Sequence, residues 1–118
     1  MMKVFGDYIR ERREKLRKKS PDFSVRKVAA KIGVQPSYLS KVERGEQPPP
    51  SEAKIILLAK ALDEDPDVLL ALAGKVSSDL QKVILKRPRM FADLIRELKN
   101  MPDHAVLRIV REVRDGKW

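Results

Sequence analysis

An all-α fold, five helices followed by about three more, is what this sequence predicts, and three observations carry the prediction. Apolar residues recur at helical rather than alternating spacing along the chain. Ser, Asp, Pro and Gly fall where helices would start and stop. The apolar bulk is Leu, Ile, Val and Ala, with aromatics only 5% of residues, a mixture that suits packed helices better than a β-sandwich.

Phe5, Ile9 and Leu16 share one face of a first helix expected over residues 3–19, broken by Ser20-Pro21-Asp22. Ser24 is the N-cap of a second helix ending at Gly33, which can take the positive φ of a tight turn. Pro36 suits the first turn of a third helix running to about Arg44, and Gly45 ends it. Gln47-Pro48-Pro49-Pro50 reads as an extended spacer. Ser51 caps a fourth helix, and Asp65-Pro66 opens a fifth that stops at Gly74. Ser77 or Ser78 opens the sixth. The seventh follows Pro88, with Phe91, Leu94, Ile95 and Leu98 as its apolar stripe. Pro102 opens the eighth, with Val106, Ile109, Val110 and Val113 as its stripe and Gly116 as its end.

Charge narrows the function. The net charge of +9 is uneven: residues 1–50 carry +7, residues 51–74 carry −3 and residues 75–118 carry +5. A basic N-terminal half beside an acidic middle favours a polyanionic partner. Without cysteine there are neither disulfides nor cysteine-ligated zinc. No apolar run is long enough for a signal peptide or a membrane span, so a cytoplasmic protein is expected.

The informative segment is Ser24 to Gly45, two short helices meeting at a glycine turn. Val25, Val28, Ala29, Ile32, Val34, Leu39 and Val42 are the candidates for their shared core, with Ala29 small where the helices approach. This is helix-turn-helix spacing, which presents the outer side of the second helix to the DNA major groove. Ala29 to Gly33, Tyr38-Leu39-Ser40 and Glu43-Arg44-Gly45 together resemble the lambda-repressor-like, Cro-type (xenobiotic-response-element) helix-turn-helix family, over residues 5–73.

That resemblance implies a five-helix DNA-binding domain over residues 1–74 and base-edge contacts from Pro36, Ser37, Ser40 and Lys41. Lys41 can donate to guanine, the two serines can donate or accept, and Pro36 can touch a thymine methyl. It places Arg26, Gln35, Tyr38 and Arg44 on backbone phosphates, which fix register rather than read sequence. It also implies an ion pair between Arg13 and Glu43, treated as part of the fold. Two departures stand out. Val25 occupies a position where many relatives carry a polar residue such as Gln, and Arg13 lies about five residues further than usual from Ser24. A longer first helix and a longer loop around Lys18-Lys19-Ser20-Pro21 are expected.

Residues 75–118 form a helical extension, too short for a large core of its own. Its stripes either complete the domain, meet a second copy in a homodimer reading half-sites, or hold a protein partner. Relatives with short helical tails include antitoxins and repressors inactivated by a metallopeptidase, so a toxin or metallopeptidase is the alternative partner. A repressor acting on a palindromic operator is the favoured reading. An enzyme is not expected. There is one histidine, His104, and no glycine-rich phosphate loop. The acidic Asp63 to Asp67 segment reads as a turn and a helix start. No catalytic residue, metal site or cofactor is assigned.

Overall fold

In the computed structural model, which describes residues 2–116, eight α-helices follow one another with no strand among the described residues. They are α1 (Met2–Arg17), α2 (Val25–Ile32), α3 (Pro36–Glu43), α4 (Glu52–Ala61), α5 (Pro66–Leu72), α6 (Ser78–Lys86), α7 (Pro88–Leu98) and α8 (Asp103–Asp115). A 3₁₀ turn at Pro21–Phe23 lies between α1 and α2. The chain divides between Ser77 and Ser78 into two compact units. No helix of the described residues is long and apolar enough to cross a membrane.

Short polar side chains start the helices of the first unit. Ser24 Oγ accepts from Lys27 N–H at 3.2 Å, Ser51 Oγ from Lys54 N–H at 3.4 Å, and an Asp65 carboxylate oxygen from Asp67 N–H at 2.9 Å. Each satisfies a donor that the first helical turn leaves without an intrahelical partner. α1 ends at Arg17, two residues short of the sequence expectation. The amides of Lys19 and Ser20 both turn back to the Leu16 carbonyl, and Ser20 Oγ accepts from Asp22 N–H, so the chain reverses before Pro21.

Phe5 and Ile9 of α1, Val28, Ala29 and Ile32 of α2, and Leu39 and Val42 of α3 are buried. α4 and α5 close the core from the other side with Ile55, Leu58, Ala59, Leu69 and Leu70. Val25 and Val34, expected in this core, are only half-buried at its edge, because one opens α2 and the other follows the turn at Gly33. α1 passes the end of α3 with almost no gap between the backbones. A Cβ on Gly6 would lie 2.4 Å from the Val42 carbonyl oxygen and 2.7 Å from that of Glu43.

The longer loop after α1 leaves Lys18, Lys19, Pro21 and Asp22 exposed and turns inward at Phe23. Phe23 packs against the core, and Lys31 Nζ sits 5.2 Å from the centre of its ring. The proline spacer lies outside any helix, and Pro50 is buried with its carbonyl accepting from Lys75 Nζ at 3.0 Å.

The second unit is built differently. α6, α7 and α8 contain no buried residue. Ile84, Phe91, Leu98, Val106 and Ile109 are half-buried, while Leu85 is 76% exposed, Met90 69%, Ile95 59% and Val113 61%. Three short helices are too few to cover both sides of their own stripes.

Candidate nucleic-acid interface

The turn between α2 and α3 sets the interface. Gly33 adopts φ 74°, which lets Val34 N–H reach back to the Ala29 carbonyl at 3.0 Å. From α4, Lys54 Nζ donates to the Ile32 carbonyl at 2.9 Å and to that of Gly33 at 3.4 Å. A cation thus meets the negative end of α2 and fixes the turn from outside. Gln35 then takes an extended conformation and Pro36 occupies the first turn of α3. The Gln35 side chain makes no capping bond, which leaves its amide available to another partner.

α3 is two-sided. Leu39, Val42 and Glu43 point inward. Ser37 and Lys41 are exposed, Pro36 and Ser40 are half-exposed, and Arg44 closes the row one turn later. The spacing of 37, 40, 41 and 44 places these side chains on one face. Tyr38 is half-buried, its ring packed against the core. Arg26, exposed near the start of α2, belongs to the neighbouring helix. Val25 is apolar and packs on the core edge, so position 25 offers no polar side chain between capping Ser24 and exposed Arg26.

A buried ion pair holds this face. Arg13 is 3% exposed and Glu43 4%. Arg13 Nε donates to Glu43 Oε2 at 2.7 Å and Nη2 to Oε1 at 2.9 Å, a bidentate fork. Arg13 Nη1 also donates to the Phe23 carbonyl at 3.1 Å, and Nη2 to Glu14 Oε1 at 3.1 Å. One guanidinium therefore ties α1, the 3₁₀ turn and the end of α3 together. Its hydrogen bonds to Glu43, the main cause, hold its pKa above the ordinary arginine value. At the surface Arg44 Nη2 donates to Glu46 Oε2 at 3.0 Å, which holds the Glu46 carboxyl below its ordinary range.

Sequence pattern does not reveal the role of Lys54, nor the attachment of α1 to the segment after α4. There Arg12 Nε donates to the Leu62 carbonyl at 3.1 Å and Tyr8 donates to Glu64 Oε2 at 3.1 Å. These pairs join residues far apart in the chain, and no local signal marks them.

A helix-turn-helix family model matches residues 9–69, just over half of the chain. No curated protein and no solved structure gives a match.

Proposed function

The chain belongs to the lambda-repressor-like (Cro-type, xenobiotic-response-element) helix-turn-helix family, and from that premise we propose that it is a sequence-specific regulator that represses transcription by binding a palindromic DNA operator as a homodimer. The observation that carries the reading is the outer face of α3. In a matched helix-turn-helix scaffold, Ser37, Ser40 and Lys41 stand together on the side away from the core. We assign base-edge contacts to these three and Pro36, and phosphate contacts to Arg26, Gln35, Tyr38 and Arg44. Tyr38, half-buried against the core, is assigned its phosphate through the hydroxyl group. The protein acts in the cytoplasm, with residues 1–74 binding DNA and residues 75–118 holding the second copy.

Selection of bound duplexes from a random DNA pool tests the reading. A recurrent site with two-fold symmetry is expected. In the Ser37→Ala, Lys41→Ala variant the preference for that site falls by about 1–3 kcal/mol for each base-reading side chain removed, while the fold is retained. Equal binding to selected and random DNA by the wild-type chain refutes it.

The exposed stripes of α6, α7 and α8 support dimerisation. Unburied Leu85, Met90 and Ile95 favour a partner over isolated existence. The same stripes also suit a competing reading, an antitoxin-type protein that binds a toxin or metallopeptidase and regulates its own operon. Sedimentation of the purified chain separates the two: a dimer supports the first, a monomer that pairs with a neighbouring gene's product the second.

A further inference from the structure

A cleft of about 240 Å³ opens in the first unit where α1 runs beside the start of α2 and the end of α3. Four arginines and two glutamates line it, a net of two positive charges. Both glutamates already have a cation. Glu43 is held by the buried fork of Arg13, and Glu14 accepts from the same guanidinium. Arg10 and Arg17 are different. Both are exposed, and no carboxylate among the described residues lies within ion-pair distance of either. Their spacing of seven residues puts them on one face of α1, two turns apart, with Arg13 and Glu14 between them. Ser40 and Arg44, from the exposed row of α3, line the same cleft.

We propose that Arg10 and Arg17 grip the DNA backbone across this cleft, so that α1 forms part of the nucleic-acid interface. The proposal rests on the function proposed above and extends it to a helix outside the helix-turn-helix. Unpaired guanidiniums in a groove of net positive charge attract anions, and the planar fork matches a phosphate. The anion in reach is the one beside α3. When the outer face of α3 lies in the major groove, the strand along its edge passes Ser40 and Arg44, which share the cleft with the two α1 arginines. Arg10 and Arg17 thus bind phosphate without reading sequence, and the two carboxylates of the cleft are already engaged by Arg13 rather than by them.

Anisotropy titrations of the full chain with a random-sequence DNA duplex, at several potassium chloride concentrations, test this. The slope of log affinity against log salt is expected to flatten by about 0.9 for each phosphate no longer neutralised, so by about 0.9–1.8 in the Arg10→Gln, Arg17→Gln variant. The Arg10→Lys, Arg17→Lys variant, which keeps both charges, retains the wild-type slope. Preference between selected and random duplexes is unchanged in both. A Gln variant with the wild-type slope, or a Lys variant as flat as the Gln variant, overturns the α1 assignment while leaving DNA binding intact. A wild-type chain that binds no duplex overturns the functional reading itself.

Discussion

Removing either partner of the Arg13–Glu43 pair should destabilise the first unit by unequal amounts. Breaking a buried ion pair from one side costs about 3–5 kcal/mol, because a charge is left without compensation. In Glu43→Gln the stranded group is Arg13, which still has the Glu14 carboxylate at 3.1 Å and the Phe23 carbonyl at 3.1 Å. That variant belongs at the lower end, about 3 kcal/mol. In Arg13→Met the stranded group is Glu43, 4% exposed, for which Arg13 is the one hydrogen-bond partner among the described residues. That variant belongs near the upper end, about 5 kcal/mol. The combined Arg13→Met, Glu43→Leu variant should recover to within about 1 kcal/mol of wild type, since an apolar pair strands nothing. Amide hydrogen exchange in α1 and α3 is the suitable assay, because it reads this unit separately from the second. Singles costing no more than a surface substitution, about 0.5 kcal/mol, or a double as unstable as the worse single, would refute the reasoning.

Two further predictions concern packing and assembly. Gly6→Ala should lower the melting temperature of the first unit in calorimetry, because its new methyl would stand 2.4 Å from the Val42 carbonyl oxygen and force α1 off the end of α3. A cost of about 1–3 kcal/mol is expected, as for overpacking elsewhere. On the proposed dimerisation through α6 to α8, Ile95→Lys, on the 59% exposed stripe of α7, should yield a monomer in sedimentation and leave hydrogen exchange in α1 to α5 unchanged.

Much of the first unit is legible in the sequence because its signals are local. Ser24, Ser51 and Asp65 each cap the helix that follows them, and Gly33 takes the positive φ that its turn requires. The Arg13–Glu43 pair spans thirty positions, and family resemblance rather than pattern anticipates it. Lys54 shows the limit. In sequence it is one more lysine of the fourth helix, and only the tertiary approach of α4 to α2 puts its ammonium on the Ile32 carbonyl. Val25 and Val34 fall short of full burial for a similar reason. Periodicity identifies the inward face of a helix but not how far the core extends at its ends. The exposed row of α3 is visible in the sequence, whereas the cleft beside it needs three helices in place.

The proline spacer ending at buried Pro50 acts partly before the chain folds. Proline rings fix φ, so residues 48–50 explore few conformations in the denatured ensemble and have little freedom to give up. Replacing exposed Pro48 with alanine should leave the native interactions of the neighbouring helices intact and still weaken the fold, through disorder regained by the unfolded chain. The stiffness between α3 and α4 is thus written into the denatured state as much as into the native one.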